Sequence, residues 1–118
     1  MPRDYRLYLD DILPACRKIR QFTEGMSFLE FARDVKTQDA VIRNFEVIGE
    51  AANRLPVEIK ALYHDIEWAK IIGFRNILVH EYFGVKLDTV WTAIEEKIPI
   101  LEERTEAMLN EGSLSGFG

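Results

Sequence analysis

Cysteine is almost absent from this sequence, Cys16 being the single one in 118 residues. One thiol cannot close an intramolecular disulfide, and it leaves no basis for a cysteine-built zinc site. A reducing cytoplasm is the expected location. Glycine and proline are also scarce, with 7 Gly and 4 Pro, and strand-like alternation is nearly missing, which disfavours sheet folds that need frequent turns. No run of about 18 uncharged apolar residues occurs, so no ordinary membrane-spanning helix is expected. The first twenty positions carry Asp4, Asp10 and Asp11 rather than a basic stretch followed by an apolar one, and the chain is read as soluble and unexported. An excess of positive charge is missing too: 20 acidic against 15 basic side chains give a formal charge of −5. Such a surface lacks the broad basic footprint of a nonspecific nucleic-acid binder, so a nucleic-acid substrate would have to be drawn to a local site.

What the sequence does contain is apolar material, 47% of residues, enough for the core of one domain. Apolar residues recur at spacings of three and four, and the fold class expected is all-α: a kinked four-helix-type bundle with one or two short extra helices. A first helix is expected from Tyr5 to Phe22, with Leu9, Ile12, Cys16 and Ile19 on one face and Pro14 as a kink or interruption. A short helix follows at Ser27 to Arg33, where Ser27 and Glu30 have the spacing of a capping box. Thr37 to Leu55 carries the cleanest period, Val41, Phe45, Ile48, Ala52 and Leu55, the mark of a bundle helix. In it Gly49, Ala51 and Ala52 form a small-residue patch that would let a neighbouring backbone come close. A short helix at Pro56 to Tyr63 precedes Glu67 to Phe83, which is apolar on more than one side and is expected to be buried at the centre. After a turn at Gly84, one last helix carries Leu87, Trp91, Ile94, Ile98, Leu101 and Met108, with Pro99 as a bend. The domain is placed at residues 1–111, and 112–118 is expected to be a flexible tail rich in glycine and serine.

The chemistry is concentrated in Arg75-Asn76-Ile77-Leu78-Val79-His80-Glu81-Tyr82. Burying such polar groups costs several kcal/mol unless they are paired, so a central helix does not carry them idly. Asn76 and His80 share a stripe with Ala69 and Gly73, a small and polar surface that a second helix could approach. On an uninterrupted helix, positions 75 and 80 point about 140° apart. Two arrangements would bring them together: the helix ends near Val79, or two copies of the domain contribute to a shared cleft.

This pattern resembles the R-x4-H signature of HEPN domains, and its extension to His-x-Tyr is similar to the HepT-like toxin family. Ile48-Gly49-Glu50-Ala51-Ala52, the approach from Trp68 to Phe74, and Val79-His80-Glu81-Tyr82-Phe83-Gly84 resemble that family in order and spacing over roughly Tyr5 to Glu106. The resemblance implies a metal-independent ribonuclease without a cofactor, acting as a homodimer and serving as the toxin of a two-component system. Its implied partners are RNA and a minimal nucleotidyltransferase antitoxin that moves AMP from ATP onto Tyr82. Arg75 and His80 would be catalytic and Asn76 supporting.

The residue types suit that chemistry. Histidine, with a reference pKa of about 6.5, can take the proton of a 2′-hydroxyl near neutrality. Arginine stays charged and can grip phosphate oxygens with two parallel hydrogen bonds. Blander roles stand beside these. Arg75 could be a structural arginine paired with Glu46 or Glu50, His80 a structural histidine and Tyr82 a packing residue. His64 reads as a solvated loop residue, Cys16 as core filler, Trp68 and Trp91 as apolar anchors, and Glu102 to Arg104 as an exposed face. The rival function is a noncatalytic helical module that binds a nucleotide or scaffolds a nucleotidyltransferase.

Overall fold

A computed structural model describes residues 4–80 and 86–115, the side chains of His80 and of residues 112–115 excepted. Seven helices are present among the described residues: α1 Tyr5–Thr23, α2 Phe28–Arg33, α3 Val35–Arg54, α4 Val57–Leu62, α5 Trp68–His80, α6 Leu87–Glu96 and α7 Ile98–Ser115. No strand occurs among them, and the all-α bundle with short extra helices is as expected. None of the helices is long and apolar enough to cross a membrane, again among the described residues.

Local chemistry sets the helix ends. Asp4 accepts a hydrogen bond from the Arg6 N–H at 3.0 Å and starts α1, which then runs through Pro14 without interruption. The Ser27–Glu30 capping box forms reciprocally, at 3.1 and 3.2 Å, and gives a six-residue helix a defined start. Asp34 caps α3, its two carboxylate oxygens accepting from the Thr37 N–H at 3.0 Å and hydroxyl at 2.8 Å. The sequence pattern started this helix at Thr37, and the cap moves its first residue back to Val35. Leu55 before Pro56 leaves the helical region and ends α3.

The last long helix is two helices. The turn falls at Lys97, two residues before Pro99, because proline has no N–H to offer the carbonyl one turn back. α7 then continues to Ser115, so the backbone of residues 112–115 is helical where a tail was expected; residues 116–118 lie outside the described ones.

Helix α1 packs against α3 and α7, α3 against α5, and α6 against α7, while α2 bridges α3 and α6. The core lies along the seams of α1, α3 and α7, where Leu9, Ile12, Ile19, Val41 and Ile48 are buried with Cys16, Phe31 and Met108. Each such large apolar side chain contributes about 1.5–3 kcal/mol. Helix α5 has α3 as its principal neighbour, an edge position, and the expectation of central burial is therefore corrected. Trp68 and Leu78 are buried, but Ile77 and Val79 are 47% and 43% exposed.

Candidate functional site

The site is built on the crossing of α3 and α5. Phe45 and Phe74 meet edge to face with centroids 5.1 Å apart, and Gly49 faces both Ile71 and Arg75. Trp68 anchors the start of α5 by donating from Nε1 to the Tyr63 carbonyl at 3.1 Å. Glu67, just before it, accepts from Lys70 at 2.6 Å and Lys97 at 3.0 Å. Those hydrogen bonds, first from Lys70 and then from Lys97, hold the Glu67 carboxyl below the usual carboxylate range.

The small-residue patch on α3 does what its composition promises. A Cβ at Gly49 would lie 2.1 Å from the Arg75 Cβ and 2.6 Å from its Cγ, so the stem of Arg75 occupies the space that glycine leaves. Beyond the stem, the Arg75 Nε is buried with no hydrogen-bond partner. Its NH1 donates to the Asn76 Oδ1 at 3.1 Å. The carboxylates proposed from sequence as partners are engaged elsewhere: Glu46 lies 3.7 Å from Arg43 and Glu50 3.1 Å from Arg54. Among the described residues no carboxylate pairs with Arg75, so the alternative of a structural ion pair with Glu46 or Glu50 is not what the fold builds. Asn76 holds the guanidinium of its neighbour.

Position 80 is helical, within α5. On a continuous helix positions 75 and 80 remain about 140° apart. The His80 side chain and the whole of Tyr82 lie outside the described residues. On the side of α5 away from α3, Ala69 and Asn76 are exposed, and a Cβ at Gly73 would meet nothing within 4 Å. The stripe of small and polar residues is thus open surface.

A groove of about 580 Å³ runs between α5 and the α6–α7 pair, floored by Phe45 and Ile48 and walled by Ile71, Phe74, Ala93 and Leu101. Arg75 and Asn76 are not part of its lining. No three His, Cys, Asp or Glu side chains among the described residues stand close enough to share a metal ion.

The remaining sequence readings fall out simply. Cys16 is fully buried, and burial first, then Glu102, pushes its thiol up to about 12. His64 is exposed. Trp91 packs on Phe28 and Phe31. Glu102, expected on an exposed face, has a side chain only 16% exposed and accepts from Arg20 at 2.8 and 2.9 Å, while Arg104 reaches Asp65 at 3.0 Å. What sequence reasoning missed was the pairing of Gly49 with Arg75, for which the only signal was small residues on the one cleanly periodic helix.

Comparison with known proteins adds a family. A sequence profile described as "Ribonuclease HepT-like" matches residues 12–108. The chain is 40% identical over 108 residues to "Probable ribonuclease HepT" of Thermococcus cleftensis, covering 92% of this chain and 98% of that protein. It is 42% identical over 100 residues to a protein named "Putative RNase" in Methanocaldococcus jannaschii, covering 84% of this chain and 83% of that one. A similarly named protein of Caldanaerobacter subterraneus subsp. tengcongensis is 37% identical over 106 residues, covering 90% and 95%. No solved structure matches the chain.

Proposed function

The chain belongs to the HepT-like ribonuclease family, and from that premise we infer that it is an endoribonuclease whose cleft is assembled by two copies. The observation that carries this reading is Arg75: a cation with a buried stem, no carboxylate partner among the described residues, and a guanidinium end steadied by Asn76. An arginine left without an anion near an open surface is suited to a phosphate.

In the reaction, His80 takes the proton of a ribose 2′-hydroxyl as that oxygen attacks the adjacent phosphorus. Arg75 binds the non-bridging oxygens as negative charge gathers there. The 5′-oxygen of the next nucleotide leaves, taking a proton, and a 2′,3′-cyclic phosphate remains. Base and cation are both side chains of the protein, so no metal is called for. Positions 75 and 80 diverge around one helix, and pairing of α5 across a two-fold axis through the open Ala69–Gly73–Asn76 stripe would let each protomer supply what the other lacks. The chain acts as the toxin of a two-component system. Its antitoxin is a minimal nucleotidyltransferase that places AMP on Tyr82, two residues from His80, where a bulky anion repels incoming phosphate.

Growth arrest on expression, relieved by co-expression of such a nucleotidyltransferase with a mass gain of one AMP on Tyr82, is the expected result. His80→Ala is expected to slow cleavage of RNA by about 10²- to 10⁴-fold, the usual worth of a positioned proton-transfer group. Cleavage by His80→Ala at the wild-type rate would remove the base; harmless expression with retained partner binding would favour a noncatalytic scaffold.

A further inference from the structure

We propose that Gly49, on a different helix from the R-x4-H motif, is a positioning residue for Arg75. The proposal rests on the ribonuclease reading above and adds a residue to it. The contact is with the arginine itself: the missing Cβ of Gly49 would stand 2.1 Å from the Arg75 Cβ and 2.6 Å from its Cγ, against 3.4 Å from the Ile71 carbonyl oxygen. Ordinary van der Waals contact begins near 3.4 Å, so even alanine would drive the Arg75 Cβ, and α5 with it at that point, away by more than an ångström.

Three further observations tie this contact to the guanidinium rather than to packing in general. The Arg75 Nε just beyond the stem is buried and has no hydrogen-bond partner, so no bond fixes the side chain at that point and the walls around it do. The next fixed point is the Asn76 Oδ1, 3.1 Å from NH1. The third is the contrast with Gly73, two residues from Arg75 on α5, where an added Cβ meets nothing within 4 Å. Glycine at 49 is thus a seat for one stem, with α3 acting as the anvil against which the side chain is set. Gly49 touches no substrate; it acts through Arg75.

The test compares wild type, Gly49→Ala, Arg75→Gly and the double variant, using a 5′-labelled single-stranded RNA of mixed sequence in single turnover across a range of pH. Gly49→Ala is expected to keep its helix content and the wild-type pH profile, since it adds and removes no titratable group, yet to lose about 100-fold in the saturated rate, as a 1 Å misplacement can. The double variant of Gly49→Ala with Arg75→Gly is expected to cleave no more slowly than Arg75→Gly alone, because the second change clears both clashing carbons and the two remove one function. A folded Gly49→Ala that cleaves at the wild-type rate, or losses that multiply in full, overturns the proposal.

Thermal midpoints cover the case in which Gly49→Ala folds poorly. The drop that Gly49→Ala causes is expected to be roughly halved or better when Arg75 is glycine, which clears both clashing carbons. An undiminished drop also overturns the seat. Wild-type protein without any RNA cleavage would instead sink the ribonuclease reading, and the melting comparison would still decide whether Gly49 seats Arg75.

Discussion

Helices α3 and α5 lie against one another and could hardly be patterned more differently. Along α3, Val41, Phe45, Ile48 and Ala52 are buried while Lys36, Asp39, Arg43 and Glu50 face solvent, so composition and environment agree around the whole cylinder. Along α5 apolar residues point in every direction, yet only the side that carries Leu78, Phe74 and Ile71 has α3 to pack against. A helix with one apolar stripe is content with one neighbour. A helix that is apolar on more than one side leaves Ile77 and Val79 exposed, at 47% and 43%.

Three measurements would break or sharpen that contrast. The largest effect is expected from Leu78→Ala, which empties a site 1% exposed and costs about 2–5 kcal/mol in urea unfolding. Val79→Ala, the adjacent position at 43% exposure, is expected to stay within about 0.5 kcal/mol in the monomer. Equal losses at the two positions would mean that α5 has no open side. Next comes Gly73→Leu, whose Cβ has room in the single chain and which replaces the poorer helix former. It is expected to leave circular dichroism unchanged and to weaken dimerisation by at least about tenfold, or about 1.4 kcal/mol, in sedimentation. An unchanged dimer would move the interface off this stripe.

The smallest effect belongs to α3. The Thr37 N–H, and after it the Thr37 hydroxyl, hold the Asp34 carboxyl below its ordinary 3.8. A depressed folded value contributes stability that is present above that ordinary value and is lost as pH falls through the folded one. The melting temperature from about pH 5 down to about pH 2 is therefore expected to fall less steeply in Asp34→Asn than in wild type. Identical acid limbs would show that the cap contributes nothing to folding.

How much of this was legible in the sequence follows the same division. On α3 the period named the buried face, and on α2 the Ser27–Glu30 spacing named a cap, because both signals are local and depend on a chain's own turns. The long periodic run after Gly84 hid the break at Lys97: heptad spacing passes smoothly across two helices, and the residue that stops the first is a proline two positions later. On α5 the pattern fixed that the helix is apolar without fixing what covers it, since burial by a partner and burial by the same chain select the same residues. The site divides likewise. Arg75 and Asn76 stand on α5 as expected, but their bond to each other and the Gly49 seat depend on a crossing angle that no spacing encodes. The His80 side chain and Tyr82 fall outside the described residues, so their places in the site rest on the motif.

One contact near the base of α5 has a mechanical meaning. Glu67 holds Lys97 at the α6–α7 turn and Lys70 on its own helix, and Trp68 is bonded to the Tyr63 carbonyl beside it. The helix is clamped at its root while its tip, thirteen residues on, carries the end of the motif. It is a cantilever: load applied at the tip by a second body is felt as torque at an ionic hinge. Because all three charged groups at that hinge are well exposed, dissolved salt softens it, and the stiffness with which α5 presents its motif becomes a property of the surrounding solution.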